Sequence, residues 1–210
     1  MTLQDLRFQA LHQVLDPPGE DPSEEAPEED LDRMEAAVAL ILRATSPLEI
    51  LVIKRATFEG DPWSGHMALP GGRWERSDAG LLHTAMRETR EETGIDLSTL
   101  GTPLGRLPDV NPASPRLPAM RIAPFVFGVP EAVSGSVASH EVESVHWVPV
   151  DALRQPEASA TVRIHFSGFS KTFPSYAVCD EHVWGLTHRI LTGFLDRYPD
   201  AEIRRHAPRG

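Results

Sequence analysis

The chain has 210 residues, with 31 Asp and Glu against 20 Lys and Arg, and a formal net charge of −11. That balance argues against broad electrostatic binding to nucleic acid or to an anionic membrane surface. A composition of 40% hydrophobic and 24% charged residues describes an ordinary globular chain, and the single cysteine, Cys179, excludes an internal disulfide.

Residues 1–15 place Leu3, Leu6, Leu11, Val14 and Leu15 at near-helical spacing, which predicts an N-terminal helical extension. This stretch lacks a basic start and a continuous apolar run, so no secretory signal is read there. No apolar run approaches transmembrane length, and the expected address is the cytoplasm. Residues 16–32 are dominated by Pro, Glu and Asp and read as an acidic linker. The main domain is expected over 33–200, with a short tail at 201–210.

Within that domain, 36–43 and 48–55 are β-branched-rich runs that predict two strands joined at Ser46-Pro47. Residues 66–70 read as a third short strand ending at Gly71-Gly72. A helix is expected from Ala79 to Thr93, with Ser77 or Asp78 as N-cap and Gly94 at its C-terminal end. Residues 103–118 carry five prolines and read as a loop. Strands are expected at 120–129 and 141–150, weak strand signals at 162–178, and an amphipathic helix at 182–198. Strands, helix, strands, helix in that order suggest a mixed sheet with helices on its faces.

The chemically informative stretch is Arg87-Glu88-Thr89-Arg90-Glu91-Glu92-Thr93-Gly94. On a helix Glu88, Glu91 and Glu92 are spaced i, i+3, i+4 and share one stripe. Leu82, Ala85, Met86, Thr89 and Thr93 form another that can pack on a sheet. Like charges at this spacing repel by about 0.2–0.5 kcal/mol per pair, partly offset by the Arg87–Glu91 pair. The triad alone reads as a solvated face or as a site for a hard cation, since Mg²⁺ and Mn²⁺ take oxygen ligands from a few carboxylates. Gly71-Gly72, just upstream, is backbone that a phosphate-bearing ligand can approach closely.

Residues 71–95 resemble the signature of the Nudix hydrolases, G-x5-E-x7-R-E-U-x-E-E-x-G-U, with U apolar. Gly72, Arg87, Glu88, Glu91, Glu92, Gly94 and Ile95 match. Thr89 stands at an apolar position, Asp78 replaces the first-half Glu, and one extra residue separates it from Arg87. The spacing is similar to that of the coenzyme A diphosphatase branch, whose upstream pattern is echoed by Arg55-Ala56, Gly65 and Leu69-Pro70-Gly71-Gly72. Leu69 stands for the usual Phe, Glu75 for Asp and His66 for Gln, and an arginine between Ala56 and Gly65 is missing. The segment 183–191, VWGLTHRIL, is similar to the branch's last helix, and the strand at 141–150 is expected to run into a short helix at 150–154.

The resemblance implies an α/β (α+β) fold, a Nudix-like α/β/α sandwich with a central mixed β-sheet. It implies Mg²⁺- or Mn²⁺-dependent hydrolysis of the diphosphate bond in a nucleoside-diphosphate-linked substrate. Coenzyme A or its thioesters, giving 3′,5′-ADP and 4′-phosphopantetheine, are the expected substrates; ADP-ribose, NADH or oxidised nucleotides are the alternative. Glu88, Glu91 and Glu92 would be the metal ligands and Arg87 would orient a helix carboxylate. Glu91 or Glu141 would be the general base, with His140 a weaker option. Arg55, Gly71, Gly72 and Arg73 would meet the substrate, and Trp63 and Trp74 would stack on a base or simply pack. The expected partner is a nucleotide-type small molecule, with no nucleic acid and no membrane, and a homodimer as the candidate assembly. Two other classes compete: a non-catalytic nucleotide sensor of the same fold, and a scaffold role for the N-terminal helix and linker.

Overall fold

The computed structural model describes residues 5–18, 34–58, 64–112, 119–166 and 168–198. Trp63, most of the acidic segment and the tail from 201 lie outside these described residues.

A seven-stranded mixed sheet organises the chain. Its strands are β1 (Met34–Arg43), β2 (Glu49–Arg55), β3 (Met67–Ala68), β4 (Gly71–Arg73), β5 (Thr102–Arg106), β6 (Met120–Val129) and β7 (Val142–Pro149). The main order is β3-β2-β1-β6-β5, with β4 also on β1 and β7 also on β2. Only β1 and β6 run parallel; the other pairs are antiparallel. β1 alternates Ala37, Ala39 and Ile41 toward one face with Ala36, Leu40 and Leu42 toward the other. Both sets are closed to solvent, as expected for a parallel strand covered on two sides.

Helix α2 (Leu81–Thr93) covers one face through Leu81 and Ala85, and α3 (Leu97–Leu100) follows it. The opposite face is covered by α1 (Leu6–Val14) and α5 (Gly185–Leu195), with Phe8, Leu11, Ile190, Leu191 and Phe194 in its core. The result is the expected layered sandwich around a mixed sheet. A short α4 (Val150–Leu153) follows β7, where the sequence places it. A second sheet, ordered β10-β9-β8, comprises β8 (Ser159–Phe166), β9 (Phe169–Val178) and β10 (Glu181–Trp184). Among the described residues no helix is long and apolar enough to cross a membrane.

Several local expectations are corrected. α1 forms, but Leu6 and Val14 of the apolar stripe are exposed, and Phe8 and Leu11 fill the core beneath them. The helix read as an extension is thus packed into the main domain, and its docking is fixed by Arg7, which bridges Asp5 and the Thr45 carbonyl. Residues 102–106 are a strand despite Pro103; β5 is the sheet's edge, where a missing N–H is tolerated, and the register shifts between Pro103 and Gly105. The last helix begins at Gly185, not at 182, because 181–184 pair with β9 and Gly185 takes φ +66°.

Candidate active site

α2 is set in place from both ends. Gly94 adopts φ +72° and returns its N–H to the Arg90 carbonyl, closing the helix as the sequence predicts. At the start, neither Ser77 nor Asp78 is the N-cap; that position is Gly80. The Asp78 carboxylate is otherwise engaged. It accepts from the Glu75 N–H, the Thr84 hydroxyl and the Arg87 guanidinium, at 3.1, 2.9 and 2.9 Å.

Arg87 is the hub. Nε and Nη2 grip the two Asp78 oxygens, Nη1 donates to Glu88 and Glu91 at 3.0 and 3.2 Å, and Nη2 also reaches the Arg73 carbonyl. The bidentate grip is the geometry a planar fork favours. The hydrogen bonds it donates to Asp78, reinforced by the Glu88 charge, hold the guanidinium firmly protonated. Burial pushes Asp78 up, but Arg87, the Glu75 N–H and Thr84 together bring it below the usual carboxylate range.

The three glutamates are not equally displayed. The Glu91 side chain is 50% exposed, Glu88 18%, and Glu92 only 5%. Glu92 sits at the border of the sheet-facing stripe, beside Thr89 and Thr93, both buried. Its carboxylate accepts the Gly71 N–H at 2.9 Å and lies 3.9 Å from the Arg55 guanidinium. Burial pushes Glu92 up to about 8, and the Glu88 and Glu141 charges add to this against the Gly71 N–H and Arg55. Burial also raises Glu88, aided by Glu91 and Glu141 and opposed by Arg87.

The glycine loop supplies the floor. Gly71 takes φ +153°, and a Cβ there would overlap the Ala37 carbonyl and Val38. A Cβ on Gly72 would overlap the Glu88 carboxylate itself. Gly71 is therefore required by close approach of the β1 backbone, while a side chain on Gly72 would displace the Glu88 carboxylate, and β4 pairs with β1 through Ala37↔Gly72 and Val38↔Gly71.

Of the sequence-derived candidates, Arg55, Gly71, Gly72, Arg87, Glu88, Glu91 and Glu92 come together. Glu141 joins them from the far side: its carbonyl accepts the Ala56 N–H at 2.8 Å, and its charge is felt at Glu88 and Glu92. Arg73 contributes its carbonyl to Arg87, while its side chain is exposed. His140 packs edge-on against Phe58. Trp74 donates to the Asp78 carbonyl at 3.3 Å and packs on the core, so its role is structural. Sequence reasoning missed the Thr84–Asp78 contact, which ties the glycine loop to the first turn of α2; a Thr facing the sheet was the available signal.

Among the described residues the carboxylates do not converge on one point. Glu88 and Glu91 turn to Arg87, and Glu92 turns to Gly71 and Arg55. The donor set nevertheless suits a hard divalent cation. It is all oxygen, it is acidic beyond what Arg87 and Arg55 balance, and it holds one carboxyl whose charged form is disfavoured until a cation arrives.

The NUDIX domain family matches residues 32–167. A protein of the fission yeast Schizosaccharomyces pombe is 36% identical over 136 residues, which is 63% of this chain and 41% of that one; this chain thus spans about two fifths of that relative's length. The Nudix hydrolase NudL of Yersinia enterocolitica is 26% identical over 155 residues, 74% of this chain and 77% of its own. The crystal structure of a MutT/nudix family protein from Enterococcus faecalis superposes with a TM-score of 0.56 at 19% identity, over 84% of this chain and 65% of that one. With the family match spanning most of the chain and the fold agreeing, this protein belongs to the Nudix family.

Proposed function

We propose that the chain hydrolyses the diphosphate bond of a nucleoside diphosphate joined to a second moiety, with Mg²⁺ or Mn²⁺ as cofactor. The single observation that carries this reading is the cluster of Glu88, Glu91 and Glu92 set over Gly71-Gly72 and organised by Arg87. A bound divalent cation would screen the diphosphate charge and lower the pKa of an attacking water. Glu88, Glu91 and Glu92 would hold it, and Arg87 would set the angle of Glu88 and Glu91 through its grip on Asp78.

The chain's own groups account for the rest. The bare Cα atoms of Gly71 and Gly72 let β4 close on β1 and let the Glu88 carboxylate sit against the loop beside which the phosphates would bind. Arg55, on the same side of the sheet as Glu92, is the candidate phosphate contact, with Arg73 at the rim. A water's proton would go to a carboxylate oxygen of Glu91 or Glu141, both accessible to solvent.

Coenzyme A or its thioesters are the substrates favoured by the spacing of Asp78 from Arg87 and by the segment 183–191. Leu69, which stands for the branch's Phe, is a buried core residue, so that change concerns packing. His66 and Glu75 lie nearer the surface, and they keep ADP-ribose, NADH and oxidised nucleotides as the second reading. The test is a panel of coenzyme A, acetyl coenzyme A, ADP-ribose, NADH and oxidised dGTP, with Mg²⁺ and with Mn²⁺, products followed by chromatography. Release of 3′,5′-ADP from coenzyme A is expected. Faster turnover of another substrate would replace the branch assignment and keep the metal site, and no turnover of any would favour the sensor reading.

A further inference from the structure

Three threonines of α2, Thr84, Thr89 and Thr93, are closed to solvent. A hydroxyl in that position ordinarily gives its proton to the carbonyl four residues back along the helix. Thr89 gives its proton to Ala85 and Thr93 to Thr89, each at 2.7 Å. Thr84 behaves differently. Its own carbonyl four residues back, on Gly80, is 3.3 Å away, while Oδ2 of Asp78 is 2.9 Å away. Both neighbours only accept, so the single hydroxyl proton goes to the nearer, charged oxygen.

Asp78 departs from its ordinary role in the same way. It lies two residues before the N-cap, Gly80, and α2 starts without a side-chain cap. An aspartate at a helix start commonly accepts from N–H groups of the first turn, a contact worth about 1 kcal/mol. Here the carboxylate turns to other donors. Oδ1 accepts from Arg87 Nε at 2.9 Å, and Oδ2 accepts from Arg87 Nη2, the Glu75 N–H and Thr84 at 3.0, 3.1 and 2.9 Å.

Thr84 and Arg87 are three apart and so lie on one side of α2, with the carboxylate held between them. The two-pronged grip of Arg87 fixes the guanidinium relative to the carboxylate, but the joined pair would still turn as a unit. The Thr84 hydroxyl, rooted in the first turn of α2, and the Glu75 N–H stop that turn. Two neighbouring residues therefore forgo local hydrogen bonds for each other, directly beneath the group that reaches Glu88 and Glu91. Departures from local rules gather at functional sites.

We propose that Thr84 is a positioning residue for the carboxylate cluster: its hydroxyl sets the plane of Asp78, Asp78 sets Arg87, and Arg87 sets Glu88 and Glu91. What the cluster does rests on the diphosphate reading above. The test compares Thr84→Val, Thr84→Ser and Thr89→Val. The last removes an equally buried hydroxyl from the same helix, one that touches no carboxylate. Mn²⁺ affinity is measured by electron paramagnetic resonance, and the Arg87 Nε–H signal is followed by nuclear magnetic resonance without metal. Thr84→Val is expected to weaken Mn²⁺ about tenfold, the scale of a lost outer-shell support, and to lose the protection of the Arg87 signal from exchange with water. Thr84→Ser should recover both, and Thr89→Val should keep both. If Thr84→Val does not fold, Thr84→Cys, which puts a weak donor in place of the hydroxyl, replaces it in both measurements. Parent-like Mn²⁺ affinity in Thr84→Val, equal weakening in Thr89→Val, or an Arg87 signal as protected as in the parent would overturn the proposal. The Arg87 signal needs neither metal nor substrate, so it judges Thr84 even if the parent takes no Mn²⁺, a result that would count against the metal reading alone.

Discussion

The Cα of Gly72 lies against the carboxylate of Glu88 so closely that any side chain on it would take the place of the carboxylate oxygens. The two residues come from different elements, a strand of the main sheet held by β1 and the helix above it, where Arg87 holds Glu88. Gly72→Ala is therefore expected to swing Glu88 away without touching its chemistry. Turnover should drop about 10- to 100-fold, as when the support of a metal ligand is lost. Mn²⁺ titration by electron paramagnetic resonance would register the loss, and unchanged Mn²⁺ affinity and rate would refute it.

Arg87 holds Asp78 by two hydrogen bonds while also reaching Glu88, Glu91 and the Arg73 carbonyl. Arg87→Met leaves Asp78 buried with only Thr84 and the Glu75 N–H. We expect a loss of about 2 kcal/mol, or roughly 4–8 °C in melting temperature, together with loss of activity. Arg87→Lys keeps the charge but not the fork and should recover little of either. A lysine variant matching the parent in both measurements would show that charge alone suffices.

Glu92 makes the cation-free protein sensitive to pH. Its carboxyl is pushed from 4.5 to about 8 in the folded state, so between those values the folded protein binds a proton that the unfolded chain does not. Stability is then fully present below about pH 4.5 and declines as pH rises toward 8, by on the order of 3–4 kcal/mol for this group alone. Urea unfolding in EDTA from pH 5 to 8.5 should show the decline, and Glu92→Gln should flatten it while abolishing turnover. Mg²⁺ should stabilise the parent more at pH 8 than at pH 6. A parallel profile for the glutamine variant would mean that Glu92 is charged throughout.

Phe8 is fully buried, and a Cβ on Gly128 of β6 would overlap its ring. Phe8→Ala should cost about 3–5 kcal/mol by leaving a cavity under α1. Turnover below the melting transition should persist, because α1 and α2 lie on opposite faces of the sheet. Thermal denaturation paired with an assay at low temperature would separate the two effects, and an unchanged melting temperature would show that α1 is dispensable.

What could be read from the sequence follows from where the signals are local. The α2 boundaries come from its glutamate spacing and from Gly94, and β1, β2 and β6 from uninterrupted apolar runs. β8 does alternate, with Ala160, Val162 and Ile164 on the more covered side and Thr161, Arg163 and His165 exposed, whereas Lys171 and Pro174 interrupt the pattern in β9. The stripe of the N-terminal helix is half right: Leu11 and Leu15 are buried, Leu6 and Val14 are exposed, and Phe8, outside the stripe, shares the anchoring. In the site, the triad was legible as a pattern but its gradation was not. Glu92 is buried because Gly71 offers it an N–H across the loop, a contact no helical wheel contains. Glu141 reaches the cluster only through the hydrogen bond that joins residue 141 to Ala56, beyond the end of β2.

The parallel pairing of β1 with β6 has a consequence for synthesis on the ribosome. Glu35 and its partner Arg121 are 86 residues apart, and every β1–β6 pair spans a similar gap. The hydrophobic edge of β1, Leu40-Ile41-Leu42, is made early and stays without this neighbour until β6 has emerged. The glycine loop and α2 are translated in that interval, yet their platform is incomplete without β6. The segment that carries the glutamate cluster is therefore expected to settle only after β6 is added, and nascent chains ending before residue 129 should be held open and prone to chaperone capture.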